Sequence, residues 1–176
     1  MSKLQVICIG EALIDKIINK SDSNFRNYLG GAPANVVCAL RKLEVPAAFI
    51  GCLGDDEYGR EFIRLFQQLN INIDFLQIAK QASTRIVKVM RDESGDRSFS
   101  GFEVTKSSSF ADEMLDKLLL NTNIKNLKKL FLNTKYIVTG TNLLAFSQSS
   151  DALYFILDFA KKFKIKFIID VNWREI

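Results

Sequence analysis

No histidine occurs among the 176 residues of this chain. That absence excludes Ser-His-Asp triads, Cys-His dyads and histidine-based metal sites. Any chemistry must come from carboxylates, amides, backbone dipoles and basic side chains. Cysteine is scarce: Cys8, Cys38 and Cys52 are odd in number, unpaired in spacing and set within apolar patterns. This argues against a disulfide framework and against a zinc site, and the three read as small hydrophobes. Only two prolines occur, and there is no long low-complexity segment. No apolar run approaches the length of a membrane span. The first ten residues lack a signal-peptide layout, because Lys3 leads directly into a short strand-like run. The expectation is a cytoplasmic protein with no membrane partner. A large excess of one charge is also missing: the net charge is +4, with lysines spread over predicted surface faces. A nucleic-acid partner would need a clustered basic stripe or an aromatic stacking platform, and neither is present.

Apolar residues, by contrast, make up 48% of the chain, enough for one domain with a real core. The stretch around which the rest is arranged is Gly30-Gly31-Ala32-Pro33-Ala34-Asn35. Paired glycines open backbone angles closed to other residues and let a ligand approach the main chain. Pro33 suits the first turn of a helix, and Asn35 adds an amide there. A Gly-rich helix entry can hold polar or anionic groups, although a plain tight turn explains the same residues.

Leu4 to Ile9 reads as a buried strand ending at Gly10. Glu11 and Asp15 follow, where α/β folds place ligand contacts; a solvated loop acid is the simpler reading of Asp15. Ser21 to Tyr28 reads as a polar loop. The helix after Pro33 carries Val36, Val37, Leu40 and Leu43 on one face, and Pro46 to Ile50 gives the next strand. Strand, helix, strand favours a parallel sheet with a right-handed crossover. Asp55 or Asp56 caps a helix with Phe62, Leu65, Phe66 and Leu69 inward; the two acids also look like a carboxylate pair, but capping explains them more simply. Ile71 to Ile78 is extended. Arg85 to Phe102 is an antiparallel hairpin with mixed faces, readable as a lid, a subunit contact or an ordinary surface hairpin. Ala111 to Leu120 reads as a weak helix, Tyr136 to Thr139 as a strand with a polar end at Thr141 and Asn142, and Gln148 to Phe163 as a helix. The last strand, Lys166 to Val171, leads to Asp170-Val171-Asn172-Trp173-Arg174.

Taken in order, Gly10-Glu11-Ala12-Leu13-Ile14-Asp15, the Gly30 to Asn35 motif, Phe49 to Gly59, the Arg97 to Phe102 arm and Asp170 to Arg174 resemble the ribokinase-like (PfkB) carbohydrate kinases, fructokinase branch. The resemblance spans essentially the whole chain and is to the family's N-terminal half only. Val37 and Glu44 depart from the pattern, standing where a small residue and a glycine are usual. The resemblance implies an α/β fold of three-layer α/β/α Rossmann-like type with a small β-hairpin lid, incomplete at the C-terminus. It implies one domain part, 1–176, with lid segments near 12–19 and 84–102 and the ATP-binding half absent.

The function so implied is ATP-dependent phosphorylation of a sugar hydroxyl. Asp15, Gly30, Gly31 and Asn35 would hold the sugar, Phe99 and Phe102 would contact it from the lid, and Thr141, Asn142, Asn172 and Arg174 would face the same cleft. No catalytic residue is assigned, because the family's general base and anion hole would lie beyond Ile176. The complete enzyme would use ATP and Mg2+, most of whose site is expected to be absent, and no metal ligand is assigned. The chain alone is therefore expected to be a truncated, inactive sugar-binding half. The alternatives are a non-catalytic sugar-binding or dimerising remnant, with the hairpin lid as candidate homodimer contact, and a misfolding-prone fragment with exposed apolar faces.

Overall fold

The computed structural model describes residues 4–19, 24–92, 94–103, 107 and 109–171. Its nine strands are β1 (Val6–Ile9), β2 (Leu13–Asn19), β3 (Phe25–Gly30), β4 (Ala47–Gly54), β5 (Asn72–Ala79), β6 (Ile86–Arg91), β7 (Arg97–Phe102), β8 (Tyr136–Gly140) and β9 (Lys166–Asp170). They form two sheets, a parallel one of order β5-β4-β1-β8-β9 and a smaller one of order β3-β2-β6-β7.

The centre of the parallel sheet is built from unbroken apolar runs because both of its faces are covered there. Every residue of β1 and of β4 is buried. Ile7, Ile9, Ala48 and Ile50 point to one face, where they pack with Leu120, Leu127, Phe131 and Ile156. These come from α3 (Lys117–Thr122), α4 (Ile124–Phe131) and α5 (Ser147–Lys161). Val6, Cys8, Ala47 and Phe49 point to the other face, against Val37 of α1 (Ala32–Lys42) and Phe62 and Phe66 of α2 (Glu57–Gln68). The result is three layers with β1 at the centre. Asp56 caps α2, and its Oδ1 accepts from the Gly59 N–H at 2.8 Å. The same carboxylate also accepts from the Thr84 N–H at 2.7 Å, so one acid fixes both the helix and the entry to β6.

The second sheet is larger than a hairpin. β2 pairs antiparallel with β3 and parallel with β6, and β6 pairs antiparallel with β7. The polar stretch expected as a loop is thus a strand from Phe25 onward. Four of its six residues are exposed, so cross-strand pairing rather than burial makes it a strand.

Other expectations need correction. On α1 the buried residues are Pro33, Ala34 and Val37, whereas Leu43 is 74% exposed and Val36 also faces solvent. The helix enters through Pro33, which turns its buried stripe toward the start. The expected helix from Ala111 is instead a 3-10 turn (Ala111–Met114) followed by α3, with Leu118 and Leu119 exposed and Asp112 buried. α4 went unread because four of its eight residues are polar, three of them lysines. Glu44 holds a left-handed backbone (φ 62). Glycine takes that conformation without strain, which accounts for its being the usual residue there. Against the expectation of a fold incomplete at its C-terminus, all three layers form among the described residues, and β9 pairs with β8 along its full five residues.

Candidate functional site

The C-terminal end of β1 runs straight into the second sheet. Between them lie Gly10 and Glu11, and the Gly30-Gly31 turn packs directly on this junction. Gly31 adopts φ 99, and a Cβ there would lie 2.5 Å from the Glu11 carbonyl oxygen. Only glycine allows both that angle and that approach. The turn delivers Asn35 to the first turn of α1, where its N–H donates to the Gly31 carbonyl at 2.8 Å and its side chain is exposed.

Glu11 does what an N-cap side chain would do. Gly31 has no side chain, and α1 has no acidic residue in its first turn. The Glu11 Oε1 accepts from the Ala32 N–H at 3.2 Å instead. A carboxylate at this end of a helix is favoured by the unpaired N–H groups and the dipole. Yet Glu11 is only 3% exposed, and burial pushes its carboxyl up from the ordinary range. Its second oxygen, Oε2, is buried without a hydrogen-bond partner.

The smaller sheet holds the rest. Asp15 sits on β2 opposite Tyr28 and Val87, half-buried, with its carboxylate against Gly30. It lines a cavity of about 160 Å³ together with Ile17, Val89, Arg97, Ser98 and Phe99. The cavity therefore joins a carboxylate, a guanidinium and an aromatic ring, a set able to bind a small polar molecule with an apolar face.

The other candidates distribute unevenly. Phe99 lines the cavity; Phe102 does not, but its ring lies edge-on to Phe99 at 5.4 Å, 5.4 Å from Phe110 and under the Arg85 guanidinium at 4.9 Å. Thr141 donates its hydroxyl to the Val171 carbonyl at 2.6 Å, a contact that ties β8 to the end of β9. Asn142 begins a 3-10 turn beyond β8 and is half-buried. Asn172 and Arg174 lie outside the described residues. Among the described residues no group of three or more carboxylate or cysteine side chains is placed to hold a metal. No residue is therefore assigned to Mg2+, and no step is routed through it.

Three features were not read from the sequence. Arg97 lines the Asp15 cavity; as one charge in an alternating hairpin it carried no distinguishing signal. Glu11 is buried, and its place directly after a buried strand and Gly10 was the available hint. Arg85 is 5% exposed; its Nε donates to both Asp112 oxygens at 2.9 and 3.1 Å, and its Nη2 donates to Glu113 at 2.9 Å. These partners are distant in sequence, so no local pattern announces them.

A three-layer parallel α/β unit with a four-stranded sheet laid over the strand ends is the frame of a small-molecule-binding α/β protein. The chain belongs to the pfkB family of carbohydrate kinases: the model of that family, "pfkB family carbohydrate kinase", matches residues 3–173. Fructokinase-2 of Zea mays is 37% identical over 100 residues, covering 53% of this chain and 30% of that protein. The 5-dehydro-2-deoxygluconokinase of Clostridium perfringens (strain 13 / Type A) is 29% identical over 181 residues, covering 98% of this chain and 50% of that one. Fructokinase with bound ATP from Xylella fastidiosa superimposes with a TM-score of 0.81 at 25% identity, covering 98% of this chain and 50% of that one.

These findings overturn the view of the chain as matching an N-terminal half only. The family match runs nearly from end to end, and the structural likeness covers almost every residue. A match of this extent to a carbohydrate-kinase family does not support the description of a truncated, inactive half. In length, the chain spans about half or less of the relatives named here. Sugar-kinase character and ATP use are typical of the family. Among the described residues no helix is long and apolar enough to cross a membrane.

Proposed function

We propose that this protein is an ATP-dependent sugar kinase of fructokinase type, transferring the γ-phosphoryl group to a hydroxyl of fructose or a close relative. The observation that carries this reading is the cavity of Asp15, Ile17, Val89, Arg97, Ser98 and Phe99 beside the Gly30-Gly31 turn. In it the Asp15 carboxylate accepts hydrogen bonds from sugar hydroxyls. The bare Gly31 backbone lets the ring come close, and the Asn35 amide meets a neighbouring hydroxyl. Phe99 covers the apolar face of the sugar. Phosphoryl transfer depends on positioning and on stabilisation of the moving charge. The residues named here supply the first of these, the positioning of the acceptor.

Fructose-dependent conversion of ATP to ADP tests the reading, and no ADP formation with any common hexose, pentose or nucleoside sinks it. Asp15→Ala is expected to lower kcat/KM at least about tenfold, the worth of a charge-assisted hydrogen bond. An unchanged kcat/KM would remove Asp15 from the site.

The reading includes a homodimer through the hairpin lid, supported by Phe99 at 47% and Phe102 at 44% exposure on its edge strand. A monomer in sedimentation at micromolar protein counts against it. A cytoplasmic location is also part of it, supported by three free cysteines. Burial pushes the Cys8 and Cys52 thiols up to about 12, which leaves them unreactive. Recovery of the protein in a membrane or extracellular fraction would count against that location.

A further inference from the structure

Glu11 takes no part in the reading above, yet it holds the start of the Gly-rich turn that the reading uses. Its Oε1 holds the Ala32 N–H, the first residue of α1, and its own carbonyl oxygen is in contact range of Gly31. Gly31 in turn accepts from Asn35. The candidate sugar contacts of the Gly-rich turn thus hang on one buried side chain. The free oxygen faces the end of β8: a Cβ on Gly140 would lie 3.9 Å from it. It has no partner there.

A buried carboxylate oxygen with no donor strongly disfavours the ionised form. The charged groups that reach Glu11 are Arg85, at the entry to β6, and Asp112, in the 3-10 turn. They are bonded to each other, and their influences on Glu11 are opposite in sign. The backbone N–H groups of Glu11 and Ala32 bond the ionised form, but burial is the larger influence and favours the neutral acid. Ionisation would place a lone charge behind the turn, and the cheapest relief is for the turn to move away from β8 and admit water.

We propose that Glu11 is a positioning residue for the sugar site: its carboxyl holds the Gly30-Gly31-Ala32 turn in its binding geometry, and release of the proton from this carboxyl loosens the turn and weakens sugar binding. This rests on the sugar-site reading of that turn. The sign follows from the direction of the shift. A folded state that binds the proton more tightly than the unfolded chain loses stability as pH rises from the ordinary glutamate range through the raised value. Sugar affinity falls over the same interval.

Two measurements on the whole chain test it. The first is calorimetric titration with fructose between about pH 5 and about pH 8, with wild type, Glu11→Gln and Glu11→Ala. Glutamine keeps the acceptor for Ala32 and cannot ionise. Wild type should lose affinity as pH rises, Glu11→Gln should hold its affinity across the range, and Glu11→Ala should bind about tenfold more weakly throughout. Alanine binding as tightly as wild type, or a pH dependence that survives in Glu11→Gln, overturns the proposal. The second is the Ala32 amide resonance without sugar. It should move with pH, with a midpoint above the ordinary glutamate value, in wild type and not in Glu11→Gln; no such movement also overturns the proposal. Movement without any heat from fructose would instead leave the proton-linked turn standing and remove the sugar reading.

Discussion

Replacing Arg85 by methionine is expected to lower the free energy of unfolding by about 3–5 kcal/mol, the usual cost of removing one partner from a buried ion pair. Arg85 is 5% exposed and Asp112 is 3% exposed, so the carboxylate left behind has no water to replace the guanidinium. The guanidinium also lies over three rings, 4.3 Å from the centroid of Phe110, 4.9 Å from Phe102 and 5.4 Å from Phe146. Such cation–π contacts add to the loss. Urea unfolding of wild type and variant gives the difference directly. A double variant, Arg85→Met with Asp112→Leu, should regain most of it, because it removes the buried charge together with its partner. A single variant within about 1 kcal/mol of wild type would mean that the pair is not buried as described. The cluster joins the two parts of the molecule: Arg85 and Phe102 belong to the smaller sheet and its entry, whereas Asp112, Glu113 and Phe146 belong to the body. Hydrogen exchange in β6 and β7 should therefore rise in Arg85→Met before it rises in β1 or β4.

The second large effect is expected at Gly31. An alanine there must hold φ 99 or abandon the turn, and its Cβ would meet the Glu11 carbonyl oxygen at 2.5 Å and the Ala12 Cα at 3.1 Å. Strain of this kind in a non-glycine residue costs about 1–3 kcal/mol. The obstacle is backbone, which cannot swing aside as a flexible side chain would. The turn should move, taking with it the Ala32 N–H that Glu11 holds and the start of α1. Gly31→Ala should thus lose both thermal stability and fructose binding. An alanine variant that melts with wild type and binds fructose equally well would show that the turn has other geometries open to it.

Much of the frame was legible because its signals are local. An apolar run such as Pro46 to Ile50, flanked by helical repeats, reads as a strand covered on both sides. Phe62 and Phe66 recur at helical spacing, and an acid stands before them to cap the helix. α5 carries the same periodicity over fifteen residues. The Gly30-Gly31-Ala32-Pro33 entry to α1 follows from what those residues can and cannot do with their own backbones. The order of these pieces was sufficient to point to the family that the comparisons show.

What the chain could not declare by itself was every feature made by residues far apart. Phe25 to Gly30 has no apolar alternation of its own and becomes a strand only because β2 offers it an edge. Asp112 looks like one more surface acid on a weak helix until Arg85, 27 positions away, is brought against it. Part of the sheet's cover was also missed in the sequence, since the lysine-rich α4 packs beside α5 on one face. Glu11 shows the division most clearly. The sequence determined that an acid follows the first buried strand. Tertiary packing alone decided that one of its oxygens would hold a helix and the other would be shut away from water, because burial belongs to the assembled layers and not to any one segment.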